Sequence, residues 1–287
     1  VKSHFDRGYV TRGLADNFGN GLSTFFPLYL RDEATRPEPS SMREGPELFA
    51  PFEMNGGVGG GAGTGLPEPN LSPKAAAYLI NLSAELESLF FHILATLHAP
   101  AYRQENAGAL RQDWPRIPLP QSRAVLEASV NLGRELAALL DVEAVVVGVT
   151  ACKVRPELRS LAVPQGTNLE ITAGWGIAGK GRLTEVAPPA DRPAALGAGP
   201  DLNVWLNTTT GWTHVPAAVW DYTLGGYPVL KKWLSYREAK LLGRALTPEE
   251  AVEFTRIARR IAAILLLGPA LDASYTSVRA ATPPAGT

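Results

Sequence analysis

With 287 residues, 45% of them hydrophobic, the chain has enough material for one large folded domain or two small ones, each with its own core. A net charge of −1 excludes attraction to nucleic acid through overall charge, so any such affinity must come from a local patch. The single cysteine, Cys152, excludes an internal disulfide and a multi-cysteine zinc site and fits a reducing cytoplasm.

No signal-peptide pattern opens the sequence, and the apolar run at 261–267 is too short to span a bilayer, so a cytoplasmic protein without a membrane partner is expected. Residues 1–30 carry strand-like pieces. From 31 to 69 the composition shifts to Pro, Glu, Ser and Gly, with a glycine run at 56–65, which is the composition of a linker. Gly57, Gly59 and Ala62 match the spacing of a dinucleotide-binding turn, but no strand leads into them and Leu66-Pro67 blocks the helix that should follow. Ser72 is placed to cap a helix with Pro73 at its first position, where the missing N–H does no harm. Leu79, Leu82, Leu86, Leu89, Ile93 and Leu97 recur at steps of three and four, which predicts one buried helical face ending before Pro100, with a second helix breaking in near Ser83. Residues 121–140 repeat the pattern, and 70–165 is expected to form a helical subdomain.

From Asn168 onward the pattern changes to short alternating segments, 169–172 and 202–206, separated by Gly-rich and Pro-rich turns; these predict strands of a small antiparallel sheet. Thr247 and Glu250 form a capping box, each able to satisfy the other's backbone N–H. The helix they start is expected to reach Leu267 and to bury Ile257, Ile261, Ile264 and Leu265, with Arg256, Arg259 and Arg260 on a solvated side and a frayed tail after Tyr275. The fold class is therefore α+β, a helical subdomain followed over 166–287 by a small antiparallel β-rich recognition subdomain and a C-terminal helix.

Three stretches could meet a nucleic acid. Residues 220–237 interleave aromatics, a glycine pair and cations; between Gly225 and Arg244, Lys231, Lys232, Arg237, Lys240 and Arg244 face one acid, Glu238. Aromatic faces with long cationic side chains can hold phosphates or an unstacked base. The plainer alternative is a glycine turn leading into a solvated amphipathic helix, with Trp233 and Tyr236 packed inward. Residues 174–181 nearly match a phosphate-binding P-loop, but Gly181 stands where a Ser or Thr should hold magnesium, and prolines replace the long helix. A glycine-rich hairpin carrying Lys180 and Arg182 is the better reading, facing either phosphate or water. In 203–212, Asn207 can pair bidentately with adenine and Thr208, Thr209 and Thr210 can meet base edges, or the segment is a strand ending in an Asn-Thr turn.

Catalytic patterns fail. The Pro-Pro pairs at 188–189 and 283–284 lack the acceptor and the ring with which an adenine methyltransferase holds a flipped base. Asp201 with Glu238 and Lys240 resembles a nuclease constellation only superficially, because Glu238 and Lys240 fall in a predicted helix; a surface charge pair is expected. His4, His92, His98 and His214 lack metal-ligand spacing, and His92 and His98 read as core or boundary residues. Cys152 has no nearby His to activate it.

Several blocks together resemble the C-terminal region of Type ISP restriction-modification enzymes. They are Leu89-Phe-Phe-His-Ile-Leu-Ala-Thr-Leu-His-Ala-Pro-Ala-Tyr-Arg103, Glu105-Asn106-Ala107 and Asp113-Trp-Pro-Arg-Ile-Pro118. Val215-Pro216, Val219-Trp-Asp-Tyr222, Gly225-Gly-Tyr227, Lys231-Lys-Trp-Leu-Ser-Tyr-Arg237 and Leu246-Thr-Pro-Glu-Glu250 follow, and Phe25-Phe-Pro-Leu-Tyr-Leu30 is similar to the strand that precedes the region. The resemblance implies a target-recognition part of a modular enzyme that methylates adenine and cleaves DNA with ATP. It implies double-stranded DNA and the methyltransferase and helicase/nuclease modules as partners, and S-adenosylmethionine, ATP and magnesium as cofactors of the parent enzyme, with none for this chain. In that context Lys180, Arg182, Lys231, Lys232, Arg237 and Lys240 are expected on the DNA backbone and Asn207, Thr208, Thr209 and Thr210 at base edges, with no catalytic or metal-binding residue. Residues 1–30 would be the remnant of the preceding module. Two other readings stay open, a free-standing but degenerate DNA methyltransferase or nuclease, and a non-catalytic protein-interaction remnant. A chain that opens on Val1 and holds only Met42 and Met54 as methionines is expected to be a fragment or a truncated reading frame.

Overall fold

The computed structural model describes residues 29–30, 68–224 and 226–281. They fall into two compact units. The smaller holds a two-residue antiparallel ladder, β1 (Tyr29–Leu30) with β2 (Glu68–Pro69), and helix α1 (Pro73–Asn81). Ser72 caps α1, its Oγ accepting from the Ala75 N–H at 3.3 Å. The linker composition and dinucleotide-like glycines at 31–67, and the strand-like pieces before Tyr29, lie outside the described residues. Ser83 takes a left-handed φ of 51°, which a helix cannot continue, so the leucine periodicity is divided between two helices.

The larger unit begins with α2 (Glu87–His98), α3 (Pro100–Glu105) and α4 (Arg123–Leu140). Helices α2 and α4 approach so closely at Gly133 that a Cβ there would stand 2.0 Å from the Phe91 carbonyl oxygen. Buried His92 joins the same interface, with Nδ1 at 2.8 Å from Ser129 Oγ and Nε2 at 2.9 Å from the Pro118 carbonyl, so it is a satisfied core histidine.

After the single turn α5 (Pro156–Arg159) comes a four-stranded antiparallel sheet of β3 (Val163–Gln165), β4 (Arg182–Val186), β5 (Asp201–Trp205) and β6 (Gly211–Pro216), in the order β3-β6-β5-β4. Only β5 coincides with a strand expected from alternation. The segment 169–172 is not a strand; its backbone bridges instead, the Ile171 carbonyl accepting from Ala239 and the Thr172 N–H donating to Leu206. Between Leu202↔Val215 and Val204↔Trp212, β6 holds one residue more than β5, a bulge at which His214 adopts φ 55°.

The remaining elements are α6 (Ala217–Trp220), β7 (Thr223–Leu224), β8 (Tyr227–Pro228), α7 (Val229–Tyr236), α8 (Ala239–Leu242) and α9 (Pro248–Ala281). The capping box is present in both directions: the Thr247 N–H donates to Glu250 Oε2 at 2.8 Å and the Glu250 N–H to Thr247 Oγ1 at 3.3 Å. Helix α9 is the spine of the unit. Its Phe254, Ala258, Ile261 and Ala262 share one core with Leu136 and Leu139 of α4, Trp212 and Val215 of the sheet, and Leu230 and Leu234 of α7.

Two expectations for α9 are corrected. It does not stop at Leu267 and fray after Tyr275 but continues through Pro269 to Ala281, because its last turns have a core of their own. Tyr275 packs edge-on against Tyr102 at 5.4 Å, Asp272 Oδ1 accepts from the Ala101 N–H at 2.7 Å, and Glu105 accepts from Tyr275 and Arg279. Arg256 is exposed as expected, but Arg259 and Arg260 do not share a solvated stripe with it. Arg260 is 5% exposed and donates to the carbonyls of Ala138, Leu139 and Ala144 where α4 ends, and Arg259 donates to that of Leu158. By length and composition α9 could cross a membrane, as the run at 261–267 alone could not.

Candidate nucleic-acid interface

The cation-rich run at 220–237 folds as a hairpin and a helix. Gly226 turns β7 into β8 with φ 80°, and α7 follows directly, burying Leu230, Trp233 and Leu234. Trp233 lies edge-on to Trp212 and Phe254, which stack on one another at 3.9 Å, so α7 is seated by an aromatic cluster. Tyr236 does not pack inward as expected; it is 62% exposed. Lys232 lies one helical turn before it, and the lysine Nζ sits 4.6 Å from the Tyr236 ring and 5.1 Å from that of Tyr227 across the hairpin. The ammonium is thereby held in place at the surface between two exposed aromatic faces.

The five cations of this stretch are not equivalent. Arg237 lies 4.2 Å from the Trp233 ring and 3.7 Å from a Glu253 carboxylate oxygen, while Arg244 grips both oxygens of Glu250 at 2.7 and 3.0 Å. Arg244, aided by the Thr247 N–H, pulls the Glu250 carboxyl down to about 2. Two arginines are thus partnered by α9 carboxylates, and the cationic excess rests on Lys231, Lys232 and Lys240, the last exposed on α8.

Residues 174–181 form a tight glycine loop that runs into strand β4. A P-loop runs into a helix, so this backbone does not fit a nucleotide triphosphate. Buried Trp175 anchors the loop, its indole N–H on the Trp205 carbonyl at 3.0 Å and its backbone N–H on Glu238 Oε1. At Gly181, φ is 104° and a Cβ would stand 2.5 Å from the Trp175 ring, so only glycine closes the turn. A Cβ at Gly176 would lie 3.6 Å from the Ser235 carbonyl, which places the loop against the end of α7. Lys180 is exposed, and Arg182 leans on the Trp205 ring at 5.4 Å. The loop that carries Lys180 thus adjoins α7, while Arg182 and Lys232 each rest on aromatic rings.

The turn at 207–210 is built differently from a reading edge. Asn207 donates its two amide hydrogens to the carbonyls of Asn168 and Glu170, at 2.9 and 2.8 Å, and its Oδ1 accepts from the N–H groups of Thr209 and Thr210. Thr210 is buried, with Oγ1 accepting from the Asn168 N–H. Both side chains are engaged within the fold. Thr208 and Thr209 are exposed at the tip.

The nuclease-like trio is dispersed. Asp201 is not a surface charge but fully buried, paired with Arg192 and with His214 Nδ1, while Glu238 holds the Trp175 N–H and Lys240 stands on α8. Among the described residues no group of three or more His, Cys, Asp or Glu is disposed to hold a metal ion. Sequence reasoning passed over Tyr227, Tyr236 and Trp205 as supports for cations, and Ile177, exposed at the tip of the glycine loop. The one available signal for Ile177 was a branched aliphatic residue set among glycines.

The sequence profile of the Type ISP C-terminal specificity domain matches residues 5–264. The chain belongs to this family. The specificity domain extends past the match by the final turns of α9. No curated protein matches the chain. Among solved structures it is similar to part of DrdV, in a complex with DNA seen by cryo-electron microscopy, at 22% identity over 79% of this chain and 21% of that one, with a TM-score of 0.37. It is also similar to the ATP-dependent Type ISP restriction-modification enzyme LlaBIII bound to DNA, at 14% identity over 73% of this chain and 12% of that one, TM-score 0.43. A nuclease-deletion mutant of LlaGI, a further Type ISP enzyme, in complex with a DNA substrate mimic gives 16% identity over 65% and 13% and a TM-score of 0.34. The specificity domain thus spans between an eighth and about a fifth of the length of these proteins.

Proposed function

We propose that this chain binds double-stranded DNA sequence-specifically, as the target-recognition part of a Type ISP restriction-modification enzyme. Membership of the specificity-domain family carries the reading. The cations and aromatic rings of the larger unit support it, because Lys180, Arg182, Lys231, Lys232 and Lys240 supply charge for phosphates while Tyr227, Tyr236 and Trp205 hold long side chains in place. In a nearly neutral chain, affinity for phosphates has to come from local cations of this kind.

We assign adenine methylation and ATP-driven cleavage, with S-adenosylmethionine, ATP and magnesium, to methyltransferase and helicase/nuclease modules beyond this chain, and we place the enzyme in the cytoplasm and off the membrane. The glycine loop offers no hydroxyl for magnesium and no helix for a triphosphate, so no step of that chemistry is derived from these residues.

The test is a binding titration across salt on a selected duplex and a scrambled one. Lys231→Ala, Lys232→Ala and Lys240→Ala should each weaken binding to both duplexes and lower the salt slope by about 0.9 per lost phosphate contact. Arg244→Ala should change the slope little, because its charge already faces Glu250. Slopes unchanged in all three lysine variants would overturn the assignment of this surface.

A further inference from the structure

Ile177 stands at the tip of the 174–181 loop, 55% exposed, between exposed Gly176, Ala178 and Gly179. Its neighbours in the loop are too small to cover the exposed half of it, which stays in contact with water. The backbone beneath is stiff: the Ile177 N–H donates to the Gly174 carbonyl at 3.0 Å, the Lys180 N–H to that of Ile177 at 3.1 Å, and the Gly181 N–H to that of Ala173 at 3.0 Å. Trp175 pins the stem to β5 and to Glu238. Lys180 and Arg182 follow the tip in sequence, and the end of α7 adjoins the loop on its other side. A rigid apolar point followed closely in sequence by two cations suits the floor of a DNA groove beside a phosphate backbone. In the major groove the apolar feature of a base pair is the C5-methyl of thymine.

Resting on the DNA-binding reading above, we propose that Ile177 reads sequence by apolar contact with the C5-methyl of a thymine in the major groove. The loop reaches base edges as a narrow finger because its tip residues are glycine and alanine. The role expected of Asn207 passes to Ile177, since the Asn207 amide is occupied within the fold.

The full chain is used to enrich duplexes from a random-sequence pool, and each thymine of the enriched site is then replaced singly by deoxyuridine, which removes the methyl and leaves the pairing edges unchanged. One replacement should weaken binding of the unaltered chain about fourfold, the effect of one buried methyl. In Ile177→Ala the same replacement should have no further effect, and Ile177→Val should retain most of the sensitivity. The Ile177 variants should melt at the temperature of the unaltered chain, since the side chain is exposed. A thymine effect of equal size in the unaltered chain and Ile177→Ala, or insensitivity at every thymine, would overturn the proposal alone. Failure to enrich any duplex over the input pool would remove the DNA-binding reading and this proposal together.

Discussion

The side-chain amide of Asn207 donates to the carbonyl of Glu170 at 2.8 Å, joining the turn after β5 to a segment 37 residues earlier in the chain. With the bond to Asn168 and the two backbone N–H groups received by Oδ1, this makes Asn207 an organiser of the loop layer that underlies the glycine finger. Asn207→Ala should therefore destabilise the chain by about 1 kcal/mol in urea denaturation, because it removes several hydrogen bonds at a partly solvated turn. Its affinity for a selected and a scrambled duplex should fall by the same factor. A loss confined to the selected duplex would restore Asn207 as a base reader.

Gly133 lets α4 meet the backbone of α2. Alanine there would drive a Cβ into the Phe91 carbonyl, which is 2.0 Å from its position, and a backbone atom cannot step aside as a side chain can. Although alanine favours helix, Gly133→Ala should cost about 1–3 kcal/mol net through overpacking. Thermal denaturation checks this, and a stabilised variant would contradict the packing described for α2 and α4.

Arg260 closes the C-terminal end of α4 from within the core. Arg260→Leu keeps apolar volume but leaves the carbonyls of Ala138, Leu139 and Ala144 without their donor, so a loss of about 3 kcal/mol or more is expected. Arg260→Lys should recover only part of it, because a single ammonium cannot fan out to three carbonyls as a guanidinium does. Equal stability of the leucine variant and the unaltered chain in chemical denaturation would refute the role.

His92 makes stability depend on pH. Burial lowers its pKa below 6.5, with the Pro118 carbonyl opposing. The neutral ring donates from Nε2 to Pro118 and accepts at Nδ1 from the Ser129 hydroxyl, and protonation would set a second donor against that hydroxyl. The unfolded chain thus takes up the proton first. The stability is present above about pH 6.5 and is lost as pH falls through the lower folded value. Melting between pH 7.5 and 5.5 should show this slope, and His92→Gln, though less stable overall, should show a flatter one.

Local chemistry was enough to place the caps. Ser72 and the Thr247–Glu250 box act through neighbours three residues away, which is why the starts of α1 and α9 agree with what the residues require. The leucine periodicity was legible in part: Leu79 and Leu89 are buried, Ile93 and Leu97 are half-buried, and Leu86 is exposed just before α2. Strand β4, exposed along most of its length, and β3, with Pro164 in its middle, carry no alternation, and only pairing with β5 and β6 makes them strands. The amides and cations of the interface divide likewise. That Lys232 is held by two tyrosines while Arg244 is matched by Glu250 depends on side chains brought from other elements.

The sequence by itself determined the α+β class, the starts of α1 and α9 and the family, because these rest on residue order and short-range chemistry. Tertiary structure decided that α9 runs past Pro269 into a second small core, that Arg260 and Asp201 are internal, and that Asn207 supports while Ile177 protrudes. Each of those outcomes turns on contacts between residues far apart in the chain, whose free energy outweighs local preference and cannot be read from it.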